Sequence, residues 1–507
     1  MSELSPSMPI QSIQNSKLHL FFKDASGLLA FNALLWWLIP GFTLGNLHVD
    51  TLEAAFWTHD LAFGYWKHPP LLTWLIDLVF IPGPLSILSI LFLSQIITIT
   101  TAFFIWQTAA EIAGREASRL ALILFLTSPL ASFYALQVNH NTVLAPFIAA
   151  TIYFGNRYLE TRSLKSNAAL GVAIGLGLLA KYEIIFAIIP LLSLAILIPR
   201  YRENFLILKS YLALPIIIAL VIPHILWLSI NDWPSFKHAI DSAPMATHFN
   251  YLESLWGFFW GLMTVIATPL VLLGVIKFDG INALREKPKN EIQKIGQIIT
   301  LAPLLGLVAA SLVTGQFVKA LWLLPLGPAV AIGLGIVGHE AAIKLSEKLN
   351  KIAMSGMTIL FGLFWVYLSV GDIIARPHEA FFANTKTLAS QVQNLWTRHQ
   401  SEPLTCLIVN EQKIGASPFL WLSSRPLVLE TPATPWGTKN HLDDCVARGA
   451  IAVNLDEGAA IERFFPRLCL KTFEPIKTAS LLGLNKDFWP GHIAYLPPEG
   501  EACPKTE

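Results

Sequence analysis

Long apolar runs alternate with short polar breaks over the first three quarters of the chain. A membrane-crossing helix needs roughly 20 consecutive apolar residues. Eleven stretches approach that length: 26–45, 84–106, 118–136, 142–156, 167–180, 183–199, 210–228, 254–275, 296–315, 319–338 and 354–374. The fifth is short, and a break at Lys181–Glu183 separates it from the sixth, so these two also read as a fused hairpin. After about residue 376 the pattern changes. Short strand-like runs (TCLIVN, RPLVLE, AIAVNL, LCLKTF, HIAYLPP) are spaced by helix-like segments such as EGAAIERFF, which predicts a mixed α/β domain over 376–507. Residues 1–25 are polar, with no early apolar core and no small-residue cleavage site. They are expected to form a cytoplasmic N-terminal segment, not a cleaved signal peptide. The expected fold is a polytopic α-helical membrane domain over 26–375, with a long first outward loop at 46–83, followed by the α/β domain.

Composition agrees with a membrane protein and adds an orientation. Only 14% of residues are charged and 54% are hydrophobic, whereas a soluble domain is about a quarter charged. The 35 basic and 34 acidic residues nearly cancel, so nucleic acid is not an expected partner. Lys and Arg mark cytoplasmic loops. With the N-terminus inside, the inward loops hold Arg115, Arg119, Arg157, Arg162, Arg200, Arg202, Lys287, Lys289, Lys344 and Lys348, among others. The outward loops hold only Lys67, Lys181, Lys237 and Lys319. An odd number of spans places the C-terminal domain outside the cytoplasm. All four cysteines, Cys406, Cys445, Cys469 and Cys503, lie in that domain. An even set confined to an exported domain predicts disulfides in any of three pairings, against the alternative of buried free thiols. No nucleotide-binding glycine loop is present, and the glycines from Gly171 to Gly177 read as close helix packing.

The chemistry-bearing residues gather in the outward loops. The first, His48 to Asp77, is aromatic-rich and mildly amphipathic, and is expected to form short interfacial helices with Trp57, Tyr65, Trp66 and Trp74 at headgroup level. Asp50 and Glu53 are three residues apart and share a helical face. Asp50 can be a general base toward a hydroxyl, a ligand for a divalent cation together with His68 and Asn141, or simply a helix N-cap. Pro69 and Pro70 make a rigid turn that holds Lys67 and His68 at the mouth of the membrane domain. A Lys there suits a phosphate as a point charge. Asn139 and Asn141 join spans three and four; Lys181, Tyr182 and Glu183 join five and six; His224 ends span seven; Gln316 and Lys319 join nine and ten. Snorkelling alone would also account for Lys181 and Lys319. Taken together, with His48 and Tyr65, these groups predict one outward-facing polar cavity.

D-x-x-E, GYWKHPPL, the N-x-N-T-V-L loop, GLGLLAKY and PHILWL…NDW follow one another in this order. The chain resembles the GT-C glycosyltransferases of the protein-mannosyltransferase-like superfamily, and within them the bacterial galacturonosyl-, galactosaminyl- and aminoarabinosyl-transferases of lipopolysaccharide and lipid A. The likeness spans roughly 26–330, and GYWKHPP with its upstream acid is its specific part. It implies a GT-C fold in the bacterial inner membrane, with the C-terminal domain periplasmic. It implies inverting transfer of a sugar from a polyprenyl (undecaprenyl-type) phosphate donor to a lipid A, lipopolysaccharide or other glycan acceptor, without a nucleotide. By position, Asp50 and Glu53 would be the catalytic acids. Lys67, His68, Lys181 and Lys319 would meet the donor phosphate, with His48, Tyr65, Asn139, Asn141, Tyr182, Glu183 and His224 lining the cavity. Asn141 stands where many relatives carry Asp, and Thr51 follows Asp50 where a second acid is usual, which weakens the expectation of a bound metal. The rival readings are a transporter or flippase of lipid-linked sugars, which usually shows internal repeats and broken midplane helices, and a non-catalytic assembly or sensor protein.

Overall fold

The computed structural model describes residues 10–205, 207–242, 251–275, 280–314, 320–344, 348–373, 381, 383–410, 412–430, 438–455, 471–477, 479–482 and 491–498. The first helix, α1 (Ile10–Ala33), continues through a π-turn at Leu34–Leu38 into Ile39–Thr43. The loop that follows is built from α2 (Val49–Phe56), a 3₁₀ turn at Trp57–His59, and α3 (Leu71–Val79). Next come α4 (Ser86–Leu126), α5 (His140–Thr161), α6 (Leu164–Ala180), α7 (Ile185–Leu197), α8 (Ala213–Ile230), α9 (Tyr251–Val275), α10 (Glu291–Thr314), α11 (Gly327–Val337) and α12 (Leu349–Ile373).

Among the described residues, five helical stretches are long and apolar enough to cross a membrane: Lys17–Thr43, Ser86–Leu126, Lys209–Ile230, Glu291–Val313 and Leu349–Gly371. Two bent pairs raise this to seven, and Leu164–Ala180 and Leu321–Val337 are shorter apolar helices. α4 is two helices in one, because Gly114 interrupts it at φ 85° and ψ −175°. That backbone is open to glycine and strained for any other residue, and it divides the stretches expected at 84–106 and 118–136. The second of these helices ends at Leu126, ten residues short of the expected 136. Pro129 cannot continue a helix, and 3₁₀ turns at Pro129–Ala131 and Phe133–Leu136 carry the chain onward. The break at Lys181–Glu183 is real: α6 stops at Ala180 and a 3₁₀ turn at Tyr182–Ile184 leads into α7.

The C-terminal region contains α13 (Lys386–His399), β1 (Cys406–Val409), β2 (Leu427–Glu430), α14 (Thr438–Arg448), β3 (Ala450–Asn454), β4 (Lys471–Pro475) and β5 (His492–Leu496). Each of the five strand-like runs of the sequence supplies one strand of a single sheet, in the order β2-β1-β3-β5-β4. β1 lies parallel to both β2 and β3, whereas β5 lies antiparallel to β3 and β4. The central strands β1 and β3 are buried along their whole length, as strands covered on both faces must be. Cys406 on β1 is bonded to Cys445 on α14, with Cα atoms 5.6 Å apart, so the structure chooses among the three pairings at this position. Cys469, Cys503 and the EGAAIERFF segment lie outside the described residues.

This domain sits against the first loop. Arg425 Nη2 donates to Asp77 Oδ1 at 3.0 Å and to Thr58 Oγ1 at 2.7 Å. His441 Nε2 meets Asp60 Oδ2 at 2.7 Å, Phe80 stacks on Phe419, and Asn46 Nδ2 donates to the Lys413 carbonyl at 2.8 Å. The loop is therefore enclosed between the helices and the C-terminal domain.

Candidate active site

Local chemistry explains why the first loop adopts its path. His48 caps α2: its Nδ1 accepts from the Asp50 N–H at 3.3 Å. The expected capping role of Asp50 is thus taken by His48, and the Asp50 carboxylate is left for other contacts. At the other end of the loop, Tyr65 N–H donates to the His68 carbonyl at 3.0 Å, which closes the turn before Pro69 and Pro70 launch α3. Tyr65 is buried and stacks on Trp57 at 4.8 Å, and the Trp74 indole donates to the Ala62 carbonyl at 2.9 Å. Tyr65 and Trp74 thus hold the loop together from inside. Gly64 permits close contact with α8. A Cβ there would lie 2.3 Å from Trp227 Cε3 and 2.9 Å from His224 Nδ1.

The two acids of α2 have opposite surroundings. The Asp50 side chain is 41% exposed, and the Glu53 side chain is 5% exposed. Glu53 forms an ion pair with Lys67, whose ammonium also lies 4.5 Å from the Trp66 ring centre. Burial pushes the Glu53 carboxyl up to about 7, and Lys67 restrains that rise. Glu430, at the end of β2, and Asp50 add to it. Asp50 accepts a 3.5 Å contact from Asn139 Nδ2 and lies 3.7 Å from His48 Nδ1. The Asn139 amide has little choice of orientation. Its oxygen caps α5 by accepting from the N–H groups of Asn141 and Thr142 at 3.0 and 3.2 Å, which leaves its NH₂ facing the Asp50 carboxylate.

The neighbouring loops close around this pair. The His68 and His140 rings lie with centres 3.9 Å apart, tilted by 36°, and His140 Nδ1–H donates to the Ala180 carbonyl at 3.0 Å. Burial, with His140, Lys181, His238 and Lys67 nearby, holds His68 well below its usual value, so its ring is neutral at physiological pH. Lys181 donates to Asn141 Oδ1 at 2.7 Å and pairs with Glu183 at 2.8 Å. Tyr182 Oη donates to His224 Nε2 at 2.8 Å, while His224 Nδ1–H donates to the Phe63 carbonyl at 2.6 Å. A carbonyl only accepts, so this chain fixes both the tautomer and the direction of the Tyr182 hydroxyl.

One polar cluster therefore joins His48, Asp50, Asn139, Asn141, Lys181 and Glu183, with the Glu53–Lys67 pair and His68 beside it, while Tyr182 pairs with His224 and the Tyr65 hydroxyl turns to Asp60 and Ala62. Lys319 and Gln316 lie outside the described residues. A metal set of Asp50, His68 and Asn141 does not fit. The Asn141 oxygen that would coordinate holds the Lys181 ammonium instead, and the described residues contain no group of three or more His, Cys, Asp or Glu placed to share an ion. His140, in the same loop as Asn139 and Asn141, joins the site through a ring from another loop and a backbone carbonyl. Lys237, on the short helix Pro234–Ser242 that follows α8, is paired with Asp232 instead.

The family described as dolichyl-phosphate-mannose-protein mannosyltransferase matches residues 67–227. Lipopolysaccharide core galacturonosyltransferase RgtA of Rhizobium johnstonii is 25% identical over 403 residues, spanning 76% of this chain and 77% of that protein. Lipid A galacturonosyltransferase RgtD of the same organism is 25% identical over 223 residues, spanning 43% of this chain and 46% of that protein. In fold, the chain is similar to ArnT from Cupriavidus metallidurans solved with undecaprenyl phosphate, with a TM-score of 0.63 at 12% identity, over 94% of this chain and 98% of that one.

Proposed function

We propose that this chain, a member of the GT-C family of glycosyltransferases, moves a sugar from a polyprenyl phosphate to a hydroxyl of a lipid A, lipopolysaccharide or related glycan acceptor, with inversion at the anomeric carbon. The observation that carries this reading is the contrast on α2. An open carboxylate, Asp50, stands one helical turn from a buried acid that holds Lys67 in place. In the reaction the acceptor oxygen attacks the anomeric carbon while the bond from that carbon to the phosphate oxygen breaks. Asp50 takes the hydroxyl proton, and polyprenyl phosphate leaves with the bonding electrons. The charge gathering on the phosphate needs cations already in place. Lys67 and Lys181 supply them: an ammonium has three N–H donors, and Lys181 spends two on Asn141 and Glu183. The neutral His68 ring offers a hydrogen bond without adding charge.

This reading includes an eleven-span topology in a bacterial inner membrane, with the C-terminal domain on the periplasmic side. The basic residues of alternate loops support it, as does the Cys406–Cys445 disulfide, a bond that belongs to oxidising compartments. A periplasm-dependent reporter fused after Glu507 is expected to be active, and activity of a cytoplasm-dependent reporter at the same point would reverse the topology.

Release of polyprenyl phosphate tests the chemistry. Purified protein incubated with several polyprenyl-phosphate sugars and a lipopolysaccharide acceptor is expected to release it from at least one donor, and only when acceptor is present. Transport of intact donor across a vesicle bilayer without release would favour the flippase reading. Single mutants test the phosphate site. Lys181→Ala should weaken donor binding by ~10-fold, the scale of one charge-assisted hydrogen bond, while Lys237→Ala, already committed to Asp232, should leave it unchanged. Equal affinities in nanodiscs would mean that Lys181 serves only to join Asn141 to Glu183.

A further inference from the structure

A cavity of about 140 Å³ lies where the C-terminal domain meets the first loop, lined by His59 from the loop and by Thr405, Ser424, Arg425, His441 and Arg448 from the domain, with Cys406 and Cys445 at its wall. That is roughly ten times the space one water needs, about 10–15 Å³. The Thr405 and Ser424 hydroxyl oxygens are buried and have no hydrogen-bond partner within the protein. Buried hydroxyls almost always find one. Arg425 spends only Nη2 on Thr58 and Asp77, which leaves Nε and Nη1 to donate. The lining holds one acid, Asp444, and it is turned toward Arg448 at 3.7 Å. His441 and His59 face the Asp60 carboxylate, at 2.7 and 3.9 Å, so the donor set suited to an oxyanion is the two unpartnered hydroxyls and the two guanidinium groups.

A second cavity, of about 560 Å³, adjoins the first, since Ser424 lines both. Its walls are of another kind: Trp421 with Ser390, Gln393, Asn394 and Thr397 along α13, and one charge of each sign, Lys386 and Glu402. An aromatic ring beside amides and hydroxyls offers an apolar face ringed by groups that both donate and accept. That combination matches a sugar ring, which has an apolar face and a rim of hydroxyls. His59 follows Asp50 by the remainder of α2 and one 3₁₀ turn, about 15 Å along the chain axis.

We propose that these joined cavities bind an acidic saccharide, with its phosphate or other oxyanion among Thr405, Ser424, Arg425 and Arg448 and its sugar ring against Trp421. On the glycosyltransferase reading above, that saccharide is the acceptor, held by a charged group remote from the hydroxyl that reacts. The site thereby selects acceptors that carry an anion over neutral ones.

The test uses the full chain in nanodiscs and two assays. In the first, a sugar phosphate, its neutral parent sugar and inorganic phosphate are titrated calorimetrically. The sugar phosphate should bind at least ~10-fold more tightly than either of the others, and Thr405→Val/Ser424→Ala and Arg448→Gln should each remove that advantage. The double variant deletes hydroxyls that have no partner, so its unfolding temperature should stay equal or rise, and donor binding should be unchanged. Equal binding of inorganic phosphate and sugar phosphate would make this a free-anion site and overturn the saccharide assignment. Absent binding, or binding that ignores the variants, would overturn the site altogether. In the second assay, transfer to a phosphorylated acceptor and to its dephosphorylated counterpart is compared. Arg448→Gln should raise KM by ~10-fold for the first alone, with kcat unchanged; equal KM changes for both acceptors would overturn the selection. A wild-type protein that transfers to neither would refute the glycosyltransferase reading, while the calorimetric result would still decide the site.

Discussion

Replacing Asp50 by asparagine lowers turnover by at least ~10²-fold, the usual scale for loss of a general base, while donor stays bound. The expectation follows from geometry. Asp50 is the more open acid on α2, and it is spared the capping role because the His48 ring accepts the N–H that a capping oxygen would take. Asn139 turns its NH₂ toward the carboxylate at 3.5 Å, which orients it without burying it. An asparagine keeps the shape and lets α2 persist, so expression and donor affinity report on folding separately from turnover. Single-turnover measurements with radiolabelled donor check it. Turnover within twofold of wild type would move the base elsewhere and leave Asp50 as a positioning group.

Lys67→Ala is expected to weaken donor binding by ~10-fold or more and to slow turnover with it. It also removes the one cation restraining the Glu53 carboxyl. In the wild type, burial lifts that group from its ordinary 4.5 to about 7. Between those two values the folded chain holds a proton that the unfolded chain has released. Its contribution to stability is therefore full below 4.5 and declines as pH rises through about 7. Without Lys67 the window extends upward, and Glu53 stays protonated at neutral pH. Two measurements follow: donor affinity for Lys67→Ala and Lys67→Arg, and unfolding temperature against pH for wild type and Glu53→Gln. The Glu53→Gln profile should be flatter between pH 5 and 8. If the two profiles run parallel, Glu53 does not titrate there and the buried pair is charged throughout.

Elements set by local sequence were legible in advance. Most apolar runs coincide with helices, though the run to 136 leaves its helix at Leu126; the strand-like runs match the sheet, and the polar break at Lys181–Glu183 is where α6 and α7 part. What was hidden depends on which distant groups meet. Nothing near Glu53 in sequence indicates that Lys67 will bury against it, because a turn closed by Tyr65 and His68 decides the approach. The His68–His140 contact joins loops 72 residues apart and leaves no periodic trace. Capping preference pointed to Asp50 because oxygen caps are commonest, and a histidine two residues earlier fills the same need with a ring nitrogen. The contacts of Arg425 with Asp77 and of His441 with Asp60 span more than 340 residues, beyond what one sequence read alone can pair.

Those docking contacts also decide where the molecule can be recombined. The loop carrying Asp50 is a shared wall: Asn46, Thr58, Asp60, Asp77 and Phe80 face the C-terminal domain, while Asp50 and His68 meet Asn139 and His140 of α5. A chimera cut near residue 376, where hydropathy alone would draw the boundary, would pair one protein's wall with another's covering and disturb the reactive carboxylate from behind. A cut that carries the wall residues along with the C-terminal domain would exchange the outer surface and leave the chemistry seated. Interchange of acceptor preference between relatives is thus a matter of transplanting a seam, with five loop residues as its stitches.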